Sequence, residues 1–202
     1  FTQPAKEAVV KNGEIDNSAI QGMQLKAVSV EDLLPRSEIS VDIDSLGKEL
    51  TGKTVLITGS AGSIGSELVR QIALFKPSFM VLIDQAETPQ HDIQLMMDNE
   101  FPDIKAETIV TSICHRHRME NYFAIYKPTY VFHAAAYKHV PMMENNPSEA
   151  VLNNILGTKV IADLSVKYGA KKFVMVSTDK AVNPTNVMGC SKRICEIYVQ
   201  SL

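Results

Sequence analysis

The stretch Thr54-Val55-Leu56-Ile57-Thr58-Gly59-Ser60-Ala61-Gly62-Ser63-Ile64-Gly65 decides the fold of this 202-residue chain. It opens with a short apolar run, which is typical of a strand that helices cover on both faces. Three glycines follow at GxxGxxG spacing, and a helical pattern continues to about Phe75. A strand, a glycine turn and a helix in this order predict a phosphate-binding turn inside a βαβ unit.

The same alternation of apolar runs and amphipathic segments continues along the chain. Strands are predicted at residues 54–58, 79–84, 106–113, 130–135 and 172–177. After the helix of the glycine turn, further helices are predicted at about residues 88–99, 115–126, 147–168 and 188–202. Thr88 and Pro89 are the expected N-cap and first residue of the second helix, and Gly169 the left-handed cap of the fourth.

Five strands in βαβ alternation predict an α/β fold, a doubly wound parallel (Rossmann) sheet with the strand order 3-2-1-4-5. Residues 51–202 are assigned to this dinucleotide-binding domain. Residues 1–50 are interpreted as an irregular leader with one or two helical turns. A sixth strand and a C-terminal substrate-binding part are expected to lie outside the chain, so strand five is expected to be an open edge.

Composition argues against several classes of protein. The net charge of -3 offers no basic surface, so no nucleic-acid partner is expected. There is no apolar run of about 18 residues and no signal-peptide pattern, which predicts a cytoplasmic location for this chain. Three cysteines without ligand spacing indicate reduced thiols. His115 and His117 lack partner ligands, so no metal site is expected.

The glycine turn supplies the first candidate cofactor residues. Gly59 permits a tight turn, Gly62 lets backbone N–H groups approach a pyrophosphate, and Gly65 allows the helix to pack closely on the strand. The helix N-terminus adds positive partial charge. The turn residues expected to contact the cofactor are Gly59, Ser60, Gly62, Ser63, Ile64 and Gly65.

An acidic residue at the end of strand two suggests which dinucleotide binds. Asp84 follows Gly65 by 19 residues, where a carboxylate can accept hydrogen bonds from the adenosine ribose. The next four residues contain no Arg or Lys that could neutralise a 2'-phosphate. NAD is therefore the predicted cofactor, and NADP is disfavoured. The alternative is that Asp84 only begins a turn.

Three longer segments carry a family resemblance. Residues 58–68, Phe132-His133-Ala134-Ala135-Ala136-Tyr137-Lys138-His139-Val140-Pro141 and Ser177-Thr178-Asp179-Lys180-Ala181-Val182-Asn183-Pro184-Thr185-Asn186 resemble the nucleotide-sugar dehydratases of polysaccharide biosynthesis. These are extended short-chain dehydrogenases/reductases. The resemblance covers roughly residue 28 to the end and includes a leader segment, Glu31-Asp32-Leu33-Leu34-Pro35-Arg36.

The resemblance implies an activity and a set of residue roles. Such enzymes convert UDP-N-acetylglucosamine to a 4-keto-6-deoxy sugar for capsule or other glycan synthesis. By position, the resemblance implies that Thr178 lies near the sugar C4 oxygen and that Asp179 protonates the departing C6 hydroxyl. It further implies that Lys180 removes the C5 proton and that Lys192 holds the nicotinamide ribose. Further implied contacts are Ser112, Ile113, Ala134, Ala135 and Ala136 with the cofactor, and Lys138 and His139 with the substrate.

The resemblance also implies assembly and location. Homo-oligomerisation is expected through the helices that contain Asn154 and Lys192. In the family, membrane helices often precede the catalytic core, so the parent protein is expected at the cytoplasmic face of the inner membrane, attached by segments absent from this chain. Asn154, Gly157 and Thr158 match the Asn-x-x-Gly-Thr of the fourth helix, where Asn commonly supports the active site. A packing role is the alternative for Gly157.

One departure from the reductase pattern bears on mechanism. The last helix normally carries Tyr-x-x-x-Lys, but here Met188 stands four residues before Lys192. Methionine cannot transfer a proton, which favours a dehydratase subgroup over epimerases that depend on the Tyr. The base for the C4 hydroxyl is then either Asp179 or a water held by Thr178.

The proposed acid and base need shifted pKa values. The pKa of Lys180 is expected to fall through burial beside Lys192, and the pKa of Asp179 to rise through desolvation. Two alternatives to the dehydratase remain open at this point. One is a nucleotide-sugar epimerase, and the other is a chain that binds NAD without turnover.

Overall fold

The computed structural model describes residues 43–202, so the leader segment around residues 28–36 lies outside the described part. Its sheet has five parallel strands in the order β3-β2-β1-β4-β5, which confirms the predicted topology. The strands are β1 Thr54–Thr58, β2 Phe79–Asp84, β3 Ala106–Val110, β4 Tyr130–His133 and β5 Lys172–Met175.

The helices are α1 Ile43–Leu50, α2 Ser63–Leu74, α3 Glu87–Glu100, α4 Arg116–Tyr126, α5 Val140–Asn145 and α7 Val187–Gln200, together with α6. Between α5 and β5, helix α6 has three consecutive parts: Pro147–Glu149, a π-helical part Ala150–Leu156, and Gly157–Lys167. A 3₁₀ turn, Asp179–Ala181, joins β5 to α7. Within residues 43–202, none of the helices has the length and apolar character needed to cross a membrane.

The two faces of the sheet belong to two hydrophobic clusters. Because side chains alternate along a strand, Val55 and Ile57 point to one face and Leu56 to the other. All three are fully buried. The first cluster includes residues of α2 and α3, and the second includes residues of α4 and α6. A strand that is apolar on both faces is therefore explained by helices on both sides.

The structure differs from the sequence prediction at the ends of several elements. Strands β3, β4 and β5 end two or three residues earlier than expected, because the chain there turns into the loops that line the site. Helix α3 begins at Glu87 with Ala86 as its N-cap, so the cap predicted at Thr88 is wrong. The Ala86 N–H donates to Asp84 Oδ1 (2.9 Å), which turns the chain into the helix earlier than expected.

Two helical features were not expected from the sequence. Helix α5 lies in a stretch for which no element was predicted, and the predicted fourth helix contains the π-helical part. A π-helical part packs an extra residue into a turn, which is often associated with functional sites. Here it places two consecutive asparagines, Asn153 and Asn154, in buried positions.

Candidate active site

The glycine turn connects β1 to α2 and leaves no room for a side chain at Gly59 or Gly65. Gly59 has φ +70°, and a Cβ there would lie 2.5 Å from Ala135 N. A Cβ on Gly65 would lie 1.8 Å from Gly59 O, whereas one on Gly62 would reach that oxygen at 3.3 Å. The backbone of the turn therefore lies close to the N-terminus of α2. A dinucleotide pyrophosphate requires this arrangement, because it binds to backbone N–H groups at a helix N-terminus.

A cavity of about 220 Å³ opens beside this turn, at the carboxyl ends of the strands. Its lining comes from the glycine turn, the ends of β2, β3 and β4, and helix α6. The lining residues are Gly59, Ala61, Gly62, Ile83, Asp84, Gln85, Ala86, Thr111, Ile113, Ala134, Ala135, Ala136, Tyr137 and Asn153. Several predicted cofactor residues thus meet at one cavity, which fits a dinucleotide lying across the switch point of the sheet.

Asp84 lies at the cavity with both carboxylate oxygens oriented by backbone N–H groups. Its Oδ2 accepts from Ala61 N (3.1 Å) and its Oδ1 accepts from Ala86 N (2.9 Å). Each carboxylate oxygen can accept more than one hydrogen bond, so acceptor capacity remains for ribose hydroxyls. The turn role and the ribose role therefore do not exclude each other.

A second cavity of about 260 Å³ adjoins the first and shares Ala134, Ala136 and Tyr137 with it. Its remaining lining brings together residues of the first turn of α2, the loop after β4, the loop after β5 and helix α7. These are Ile64, Lys138, Val176, Ser177, Thr178, Lys180, Met188 and Lys192. The predicted catalytic residues Thr178, Lys180, Met188 and Lys192 therefore share one cavity, and Asp179 lies next to it in the chain.

Lys192 is a buried cation in the wall of this cavity. Lys192 is 4% exposed, and its Nζ donates to Val176 O (2.7 Å). Burial lowers the pKa of Lys192 from its ordinary value. An ammonium group has three donors, so further donors are available to a ligand in the cavity.

The environment of Asp179 contradicts the expected pKa shift. Its side chain is 85% exposed, and Thr178 Oγ1 donates to Asp179 Oδ1 (2.9 Å). The Thr178 hydrogen bond and then the charge of Lys180 lower the pKa of Asp179 instead of raising it. Lys180 itself has a side chain that is 51% exposed, so the burial expected for it is also wrong in this chain.

Some predicted residues have side chains directed elsewhere. Ser60 is fully buried and donates to Gln90 Oε1 (2.8 Å), so only its backbone remains for a cofactor. Ser112 Oγ accepts from Cys114 N (3.2 Å), and Ser112 lines neither cavity. His139 is exposed and is the residue before α5, outside both linings. Lys138 Nζ donates to Ser63 Oγ (3.2 Å) at the start of α2.

Asn154 holds the strand-four loop in place. Its Oδ1 accepts from Tyr137 N (2.8 Å), and its Nδ2 donates to Tyr137 O (3.0 Å) and Ser191 Oγ (2.9 Å). The residue is fully buried. Asn154 therefore fixes Tyr137, which lines both cavities, to helix α7. The motif indicated Asn154 as a supporting residue, but nothing in the sequence indicated Tyr137 as its partner.

A fully buried histidine connects the end of β1 to helix α6. His133 Nδ1 is 2.6 Å from Thr58 Oγ1, and Nε2 is 2.9 Å from Thr158 Oγ1. Burial, with a smaller contribution from the charge of Lys192, lowers the pKa of His133 to about 3. The ring is therefore neutral at neutral pH, with both nitrogens hydrogen-bonded. Among the residues that the structure describes, no group of His, Cys, Asp and Glu side chains could hold a metal ion.

The five-stranded parallel sheet and the glycine-lined cavity at its carboxyl edge define a Rossmann-type α/β domain. Residues 55–202 match the family model described as "Polysaccharide biosynthesis protein". The chain therefore belongs to the polysaccharide biosynthesis protein family, within the extended short-chain dehydrogenases/reductases.

Individual relatives agree with this assignment. The chain is 43% identical to the capsular polysaccharide biosynthesis protein CapD of Staphylococcus aureus, over 100% of this chain and 33% of CapD. It is 33% identical to a UDP-N-acetylglucosamine 4,6-dehydratase (inverting) of Campylobacter jejuni, over 70% of this chain and 41% of that enzyme. The chain thus spans less than half the length of these relatives.

A solved structure shows the same fold. The UDP-glucose 4-epimerase of Thermotoga maritima, solved with UDP-glucose, superposes with a TM-score of 0.64 and 26% identity. The match covers 73% of this chain and 50% of the epimerase. Dehydratases and epimerases are thus both among the proteins that this chain resembles.

Proposed function

We propose that this chain is the NAD-binding part of a UDP-N-acetylglucosamine 4,6-dehydratase. The observation that carries the proposal is the pair of adjoining cavities. One is lined by the glycine turn and Asp84, and the other by Thr178, Lys180, Met188 and Lys192. Asp84 would hold the adenosine end of a cofactor bound across both cavities, and the loop after β5 and Lys192 would contact its reactive end.

The residues of the turn fit such a cofactor. Side chains at Gly59 and Gly65 would collide with backbone, which keeps the turn tight enough for N–H groups to approach a pyrophosphate. Asp84 accepts hydrogen bonds from the adenosine ribose, and the absence of Arg or Lys in residues 85–88 favours NAD over NADP. Lys192 holds the nicotinamide ribose with the donors that Val176 O leaves free.

The ionised state of Asp179 suggests how the reaction begins without a tyrosine. When bound, NAD would supply the hydride acceptor for oxidation at sugar C4 and the hydride donor for reduction at C6. Thr178 Oγ1 bonds Asp179 Oδ1 and can accept the proton of the C4 hydroxyl while passing its own to the carboxylate. Asp179 then carries the proton that the departing C6 hydroxyl needs. The lowered pKa keeps Asp179 ionised at the start, which is the state that these proton-transfer steps require.

Lys180 removes the C5 proton after C4 has been oxidised. A C4 ketone acidifies that proton, so a modest base in contact with C5 suffices. Loss of the C5 proton and of the C6 hydroxyl as water gives a 4-keto-5,6-ene. Return of the hydride to C6 and of a proton to C5 gives the 4-keto-6-deoxy sugar. Met188 favours this dehydratase over an epimerase, because it cannot act as the acid or base at C4.

Two measurements test the proposal. The first measurement is calorimetry of NAD binding by this chain. The second is an analysis of the product formed from UDP-N-acetylglucosamine by a longer protein that contains this chain and matches the relatives over their full length. A dehydratase incorporates solvent deuterium at C5 and loses the C6 hydroxyl, whereas a 4-epimerase product keeps that hydroxyl. We expect Lys180→Ala to abolish dehydration and to leave NAD affinity unchanged.

Lys105→Ala serves as a matched control, because Lys105 lines a cavity with Phe79 and Met97, away from the proposed site. It should leave both activity and NAD affinity unchanged. Equal loss of NAD affinity and turnover in Lys180→Ala would contradict the assigned role of Lys180. If the wild-type chain did not bind NAD, the proposed function would be refuted.

A further inference from the structure

The first cavity extends beyond Asp84 to Thr111, which directly follows β3. The Thr111 N–H donates to Asp84 O (2.8 Å), so the two residues are backbone neighbours across the strands. The opposite side of the cavity, at Ala134, Ala136 and Tyr137, is shared with the catalytic cavity. A dinucleotide with its nicotinamide in the catalytic cavity therefore has its adenosine near Thr111.

The hydroxyl of Thr111 lacks a partner in a place where buried hydroxyls are paired. Thr111 is 5% exposed. Among residues 43–202, its Oγ1 is the one buried side-chain oxygen or nitrogen that has no hydrogen-bond partner. By contrast, the buried hydroxyls of Thr58 and Thr158 bond to His133. An unpaired buried polar group is energetically unfavourable, and Thr111 lines the cavity, which indicates that a ligand supplies the missing partner.

We propose that the Thr111 hydroxyl hydrogen-bonds the adenosine end of the bound dinucleotide. This inference rests on the proposed cofactor function. The sequence-based expectation for this end of the cofactor is Ser112, whose hydroxyl accepts from Cys114 N and which does not line the cavity. Oγ1 has almost no solvent-accessible surface in this conformation, so a rotation about χ1 is required before it can contact a ligand in the cavity.

A second buried polar side chain lines the same cavity. Asn153 is 7% exposed, and its Nδ2 donates to Asn154 Oδ1 at a long 3.3 Å. Ile113, 3% exposed, supplies an apolar surface in the same lining. An apolar surface with buried polar groups suits a heteroaromatic base and its ribose better than a purely charged ligand.

Thr111→Val tests the inference, because valine keeps the shape of the side chain and removes the hydroxyl. We expect calorimetry to show about fivefold weaker binding of both NAD and ADP-ribose, which share the adenosine. The free energy of unfolding of the chain without ligand should be unchanged or higher, because an unpaired hydroxyl has been removed. Thr111→Ser keeps the hydroxyl and should retain most of the affinity.

Thr108→Val is the matched control. Thr108 lies on β3 and lines the cavity with Phe79 and Met97, and its hydroxyl is 3.5 Å from Gln94 Oε1. This variant should bind both ligands as the wild type does. Wild-type affinity in Thr111→Val would overturn the inference while leaving NAD binding intact. Weaker binding with a matching loss of stability would also overturn it, because packing would then be the cause. A wild-type chain that binds neither ligand would refute the cofactor function as well.

Discussion

Replacement of Gly65 by alanine tests the glycine turn on which the proposed cofactor site depends. The added Cβ would lie 1.8 Å from Gly59 O, 2.7 Å from Gly59 C and 3.1 Å from Ser60 Cα. All three atoms belong to the backbone, so no side chain can rotate to relieve the clash. The turn would have to move by more than 1 Å to restore an ordinary contact near 3.4 Å.

Overpacking of a rigid interior costs about 1–3 kcal/mol and occasionally more, and we expect the upper end here. For a domain of this size, about 3 kcal/mol corresponds to a melting temperature lower by roughly 6–12 °C. A thermal or urea unfolding curve gives the stability, and calorimetric titration gives the NAD affinity. The shifted turn should weaken NAD binding at least tenfold, because its N–H groups no longer converge on the pyrophosphate.

Gly169→Ala is the control for the loss of a glycine. Gly169 has φ +70°, and a Cβ there has no neighbour within 4 Å, so only backbone strain of about 1–2 kcal/mol is expected. Its NAD affinity should equal that of the wild type. If Gly65→Ala were no less stable than Gly169→Ala and bound NAD normally, the reasoning about the turn would be refuted.

Three further predictions concern groups around the cavities. Asn154→Ala leaves the backbone N–H and C=O of Tyr137 without their partner, and the urea midpoint should reveal a loss of roughly 3 kcal/mol. His133 has a pKa lowered to about 3 from 6.5, so the unfolded chain binds the extra proton. Stability should be full above about pH 6.5 and fall toward pH 3 by up to about 1.4 kcal/mol per pH unit, a slope that His133→Gln should reduce. Thr178→Val removes the hydrogen bond that lowers the pKa of Asp179, so an NMR titration should find that pKa higher than in the wild type.

The fold was predictable from local pattern. Short apolar runs require helices on both faces, and a glycine turn between strand and helix has one common use in a parallel sheet. The strand order and the meeting of Gly59, Asp84 and Ala134 at one edge follow from right-handed crossovers. The family resemblance indicated that the loop after β5 carries catalytic residues. The structure places Thr178 and Lys180 of this loop at the same cavity as Lys192.

The parts that could not be predicted depend on partners far apart in the chain. Whether a hydroxyl is free is decided by neighbours that only folding brings together, as the contrast between Ser60, paired with Gln90, and Thr111 illustrates. The pKa of Asp179 is likewise set by the exposure and hydrogen bonds of its loop, which residue type does not reveal.

The sequence by itself determined the order of the elements, the glycine turn and the identity of the acidic and basic residues after β2 and β5. These are consequences of side-chain size and hydrophobicity, which act over a few neighbouring residues. Only the tertiary structure decided that Asn154 holds Tyr137, that a π-helical part buries Asn153, and that Thr111 and not Ser112 lines the cavity. Hydrogen-bond partners and burial depend on three-dimensional proximity, so they become definite when the sheet and its helices assemble.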